Sequence, residues 1–171
     1  MMEVSITENI LEKAQRKAEA MGRIKNSITK GSGNLAGFIG EELVNLFVGG
    51  KIANTYDYDI LKGDVKIDVK TKRCTSPPRT HYDCSIAALS THQKCDQYIF
   101  VRVEWHKERP NEWKRAWILG EITKKEYFKK ARYLKKGDID KSNNFVVKAD
   151  CHNLPISQLY PLSYKHESNR S

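Results

Sequence analysis

No apolar run in this 171-residue chain approaches the roughly 18 to 20 residues needed to cross a bilayer, which excludes an ordinary helical membrane span. The opening Met1-Met2-Glu3 leads into polar, charged sequence without the basic start and apolar centre of a secretory signal, so a cytoplasmic protein is expected. Cysteine is sparse. The four residues, at 74, 84, 95 and 151, are too irregular for the disulfide framework of a small secreted scaffold, and reduced thiols are expected. There is no internal repeat and no low-complexity tract. Acidic residues are in deficit as well: 30 lysines and arginines stand against 21 aspartates and glutamates. The resulting formal charge of +9 favours a polyanionic partner, because each basic group near a phosphate displaces a condensed counterion.

What is present patterns as one domain over 1–171, since 39% hydrophobic content at this length suffices for one buried core and is short for two. Ser5-Ile6-Thr7-Glu8 has the form of a capping box, and Ile10, Leu11, Ala14, Ala18 and Met21 follow at helical spacing, which predicts an N-terminal helix over about 5–22. Gly31-Ser32-Gly33-Asn34 breaks the chain before a second helix, Leu35 to Val48, which Gly49-Gly50 ends. Strand character follows over 51–56, 58–61 and 65–72, then 81–88, 97–104 and 113–119. Cys74 to Thr80, with its proline pair, is a loop. Thr123-Lys-Lys-Glu126 opens a helix through about Leu134, and 144–148 is a last strand before a loosely structured segment to Leu162 and a flexible tail, 165–171. The order implies an α/β or α+β domain, a mixed central β-sheet flanked by helices.

The chemistry concentrates between Tyr56 and Lys70. Asp57 and Asp59 precede a Lys62-Gly63-Asp64 turn, and the next strand carries Asp68-Val69-Lys70. Asp68 and Lys70 lie two residues apart on a strand and so share a face, with Lys66 and Lys72. A carboxylate there suits a hard divalent cation, and the neighbouring ammonium can steady a phosphate or favour hydroxide over water. Hairpin register decides whether Asp57 or Asp59 faces Asp68; Asp59 is preferred because Ile60-Leu61 carry the strand from it into the core.

The preceding helix reads Gly37-Phe38-Ile39-Gly40-Glu41-Glu42. Glu41, then Asp59, then Asp68-Val69-Lys70 resembles the PD-(D/E)XK nuclease superfamily, which includes restriction endonucleases and Holliday junction resolvases. The resemblance covers residues 33–104, and departs in having no proline before Asp59 and aspartate in place of the usual final glutamate. It implies a restriction-endonuclease-like core with a helix on a mixed sheet. It further implies that Asp59 and Asp68 bind Mg²⁺ or Mn²⁺, that Lys70 assists the attacking water, and that Glu41, or failing it Glu42, completes the acidic cluster. The expected activity is metal-assisted endonucleolytic hydrolysis of DNA, as in small single-domain members of phage gene sets. A non-catalytic nucleic-acid-binding domain on the same fold and an RNA-processing nuclease are the alternatives. A homodimer is compatible with cleavage of both strands.

Lys72 and Arg73 extend the polar strand face toward a nucleic-acid backbone, and between Lys124 and Lys136 seven basic residues, including Lys125, Lys129 and Lys130, accompany only Glu126. The first helix, with Lys13, Arg16, Lys17, Arg23 and Lys25, is a weaker version. For the run after Lys124 the counterweight is a solvated amphipathic helix with Tyr127, Phe128, Ala131 and Leu134 inward. His81-x-x-Cys84 and His92-x-x-Cys95 imitate a zinc site, but three-residue spacing on a strand separates the faces and the paired-cysteine knuckle is missing; Cys151-His152 adds little. Trp105, Trp113 and Trp117 could stack on unpaired bases, though packing explains them more simply.

Overall fold

The computed structural model describes residues 1–24, 32–53 and 55–164 and opens with a strand, β1 (Met2–Ser5), that the capping-box reading did not foresee. Thr7 rather than Ser5 caps α1 (Glu8–Ile24): its Oγ1 accepts from Ile10 N–H at 3.4 Å and its carbonyl from Leu11 N–H at 3.0 Å. Ser5 instead stands opposite Arg115 in a sheet. The second helix, α2 (Ser32–Val48), starts ahead of the expected Leu35 and ends at Gly49, whose φ of +60 glycine alone adopts freely. Gly31, Lys25 and the expected tail 165–171 lie outside the described residues.

The strands expected over 51–56 and 58–61 shrink to β2 (Lys51–Ile52) and β3 (Ile60–Lys62). Between them a local bond replaces the ladder, with Thr55 Oγ1 accepting from Tyr58 N–H at 3.1 Å, while Asp57 Oδ1 accepts from the distant Lys94 N–H at 2.9 Å. Gly63-Asp64 then joins β3 to β4 (Val65–Cys74), with Gly63 at φ +58. After the proline loop come β5 (Asp83–Ala87), β6 (Gln97–Glu104) and β7 (Arg115–Thr123). Thr123 caps α3 (Lys124–Lys130) through Glu126 N–H, but this helix stops short of the expected Leu134. Residues 132–134 form β8 (Arg132–Leu134) because they pair with β11 (Cys151–Pro155), a strand hidden in what was expected to be a loosely structured segment. Between them, β9 (Ile139–Asp140) and β10 (Phe145–Val146) make a small hairpin, shorter than the strand expected over 144–148. Tertiary pairing overrides local periodicity at both places.

The protein is thus α+β, with a mixed six-stranded sheet in the order β1-β7-β6-β4-β3-β2, in which only β4 and β6 run parallel. Helices α1 and α2 cover one face, where Ile10, Ile39, Leu43 and Val44 pack on Ile67, Val69, Ile99 and Val101. The three-stranded β5-β11-β8 sheet and α3 cover the other, where Ile86, Leu154 and Tyr127 meet Tyr98, Phe100 and Trp117. Asp68 and Lys70 pair with Tyr98 and Phe100 and so belong to this second face. No described helix is long and apolar enough to cross a membrane.

Close approach of α2 to β4 depends on Gly40, where an added Cβ would stand 2.0 Å from Thr71 Oγ1 and 3.1 Å from Thr71 Cβ. Gly40→Ala gains about 1 kcal/mol of helix propensity, but overpacking of about 1–3 kcal/mol opposes it and wins at 2.0 Å. Thermal melting should show a lowered Tm for Gly40→Ala and partial recovery in the double variant with Thr71→Ala. An unchanged Tm for Gly40→Ala would contradict this packing.

Candidate functional site

The β3–β4 hairpin does not simply end at Ile60. Asp59 N–H still donates to Ile67 O at 2.9 Å, but Val69 N–H donates at 2.7 Å to the Asp59 carboxylate, Oδ2, rather than to a further main-chain carbonyl. This bond holds the Asp59 side chain at the flank of β4 and within hydrogen-bonding reach of Asp68. Asp68 is 3% exposed. Lys70 Nζ stands 2.8 Å from Asp68 Oδ2, yet at an angle that leaves this buried oxygen without a hydrogen bond. Gln93 Oε1 accepts from the same ammonium at 2.9 Å, and Gln93 Nε2 in turn donates to Tyr56 O at 2.6 Å. Lys124 Nζ donates to Gln93 O, so the loop that steadies Lys70 is itself tied to α3.

Glu41 enters from α2, one residue beyond the Gly40 contact. Its Oε2 lies 3.0 Å from Lys17 Nζ, which also stands 3.6 Å from Glu42 Oε1. Burial raises the Glu41 carboxyl above its ordinary range, Lys17 opposes the rise, and Glu42 and Asp68 add to it. Burial, followed by the charges of Glu41 and Asp68, pushes Asp59 up to about 8. The charges of Glu41, Asp59 and Asp68 thus act on one another, and Lys70 stands beside Asp68.

As the side chains stand, no three His, Cys, Asp or Glu residues among those described converge as a metal site. Glu41 is paired with Lys17, and Asp59 and Asp68 are the close pair. The pair nevertheless fits a hard divalent cation by donor type, by the orphaned Asp68 Oδ2, and by a proton held at Asp59 that a cation would displace.

Asp57 lies apart from this cluster in the bond it makes, to Lys94 N–H. His81 and His92 are exposed whereas Cys84 and Cys95 are buried, and burial pushes the Cys84 thiol up to about 12, away from the thiolate that zinc requires. Trp113 and Trp117 are buried; Trp105 carries the Arg73 guanidinium 4.3 Å from its ring centre. Of the basic residues marked for nucleic acid, Lys125 and Lys129 are exposed, Lys124 is committed to Gln93, and Lys130 pairs with Glu126 at 2.7 Å. Lys17, expected on a basic helix face, meets the acids instead; nothing local in the sequence distinguishes Gln93 from an ordinary loop amide. No protein-family model matches the chain, and no curated protein matches it.

The raised Asp59 acid sets a pH dependence. The folded chain holds this proton more tightly than the unfolded chain, so the associated stability is full below the unfolded value of about 3.9 and is lost as pH rises toward about 8. Asp59→Asn keeps an oxygen for Val69 N–H and removes the charge. With divalent cations chelated, it should therefore match wild type at about pH 4 and exceed it near pH 7.5 by about 1–2 kcal/mol, roughly 2–8 °C in Tm. A gain that is equal at both pH values would mean that Asp59 is not titrating in the fold.

Proposed function

We propose that this protein is a divalent-cation-dependent DNA nuclease of the PD-(D/E)XK type, built on a restriction-endonuclease-like core. The observation that carries the reading is the close pair of Asp59 and Asp68 at one end of a hairpin, with Lys70 2.8 Å from Asp68 and with Glu41 of α2 near enough for its charge to act on Asp59. A helix packed on a mixed sheet, with the acids at its hairpin strands, is the arrangement that the resemblance implies. The chain's charge of +9 suits the substrate.

In this reading Asp59 and Asp68 would hold Mg²⁺ or Mn²⁺ as carboxylates, with Glu41 as the third acid, and a bound cation would supply Lewis-acid polarisation of the phosphate and a lowered pKa for the attacking water. The bond from Val69 N–H keeps the Asp59 carboxyl aimed at the site. Lys70, anchored by Gln93 and 2.8 Å from Asp68, presents its ammonium to the scissile phosphate and to the water beside it. Lys17 holds Glu41 and Glu42 in place from α1 and partly offsets their repulsion.

Plasmid and branched-DNA substrates incubated with Mg²⁺ or Mn²⁺ test the assignment. Wild type should cleave, and Asp68→Ala and Lys70→Ala should each lose at least ~100-fold in rate while remaining folded. Tight DNA binding without cleavage in every metal would favour a non-catalytic binding domain, and cleavage confined to RNA would favour the processing nuclease.

A further inference from the structure

Toward the C-terminal end of β4 the two sheets part and leave a cleft of about 510 Å³ between β4, β5, β11 and the β9–β10 hairpin. A smaller cavity of about 110 Å³, lined by Lys70, adjoins it, and Lys72, Ser85 and Arg102 line both. The two spaces therefore follow the polar face of β4 from Lys70 onward.

Its charges are unbalanced in an unusual place. Arg102 is 7% exposed, its Nη2 donates to the main-chain carbonyl of Asp83 at 2.7 Å, and it forms no ion pair among the described residues. The acids lining the cleft, Asp83 and Asp140, pair instead with Arg132, at 3.1 and 3.4 Å. In the parallel register Lys72 lies directly beside Arg102 on the same face. Two adjacent cations, one of them buried without an ion pair among the described residues, repel each other and are costly to desolvate, and the Asp83 charge, shared with Arg132, offsets only part of this. Partial desolvation and then the Arg102 charge push the Lys72 ammonium below its ordinary range, although the Asp83 charge opposes the fall. An anion between them would relieve both costs.

We propose that Lys72 and Arg102 form a phosphate subsite next to the reaction centre, and that the cleft beyond it takes the flanking nucleotide of an unpaired strand. The proposal rests on the nuclease reading for its choice of nucleic acid. Lys70 to Lys72 is an advance of about 6.6 Å along a strand, on the scale of one nucleotide step in an extended chain. The cavity is walled by two sheets and falls in the small-ligand size range of about 300–1,000 Å³, so it admits a nucleotide and not a duplex. Exposed aromatic rings at its rim, Tyr82 and Phe145, offer faces on which a base can stack, and Lys148 stands 5.9 Å from the Phe145 ring.

The test is fluorescence anisotropy with a short labelled thymidine oligomer and a blunt duplex, in chelator, across a salt series. Wild type should bind the unpaired oligomer. Lys72→Gln and Arg102→Gln should each weaken that binding by about tenfold and lower the salt slope by about 0.7, with duplex binding nearly unchanged. Arg102→Lys should retain part of the affinity. If Arg102→Gln fails to fold, Lys72→Gln, at a solvent-accessible position, carries the test. Wild-type affinity for the oligomer in a folded Lys72→Gln protein, or equal losses on oligomer and duplex, would overturn the subsite. Wild type that never cleaves, combined with the selective loss on the oligomer, would overturn the nuclease reading and leave the subsite standing.

Discussion

One hydrogen bond organises the site: Val69 N–H to the carboxylate of Asp59, at 2.7 Å. A side chain here does what the next main-chain carbonyl of a longer strand would have done. It closes the β3–β4 ladder without leaving a buried donor unpaired, and it fixes an acid against the flank of the strand that carries Asp68 and Lys70. A regular continuation of β3 would satisfy Val69 equally well and send Asp59 elsewhere. The short β3 and the bend at Tyr56–Asp57 are thus part of how the acids meet.

Placing the partly buried Asp59–Asp68 pair near the charge of Glu41 raises the free energy of all three, and the surroundings offset only part of it. Lys17 answers Glu41 and Glu42 from α1, Lys70 answers Asp68, and Asp59 keeps a proton. A group held away from its preferred ionisation state in a polar cluster is a reserve that a doubly charged ligand can draw on. The same logic with reversed sign operates along β4, where Lys72 and the buried Arg102 lie side by side. An acid-rich end suited to a cation and a base-rich cleft suited to phosphate follow one another on a single strand face, because a strand repeats its direction every second residue.

Much of this was legible in the sequence, where periodicity and local signals decide the structure. The shared face of Asp68 and Lys70, the buried strand β6, the Gly49 stop of α2 and the Thr123 cap all follow from spacing and cap chemistry. What escaped depends on partners far along the chain. Strand β1 exists because β7 offers an edge, and β11 because β5 and β8 flank it on both sides, although Cys-His-Asn-Leu-Pro carries little strand signal. The basic run after Lys124 reads as one helix until Arg132–Leu134 is claimed by β11. Within the site, the Lys17–Glu41 pair spans two helices, and Gln93 reaches Lys70 from a loop that no local pattern marks.

The central claim is that Asp59 and Asp68 form a cation site, and crystals soaked in Mn²⁺ test it most directly through anomalous scattering. The account predicts a peak bridging the two carboxylates, with the Asp59–Val69 bond intact. Saturating Mn²⁺ that leaves the pair unliganded, or that binds at Asp57 instead, would contradict it.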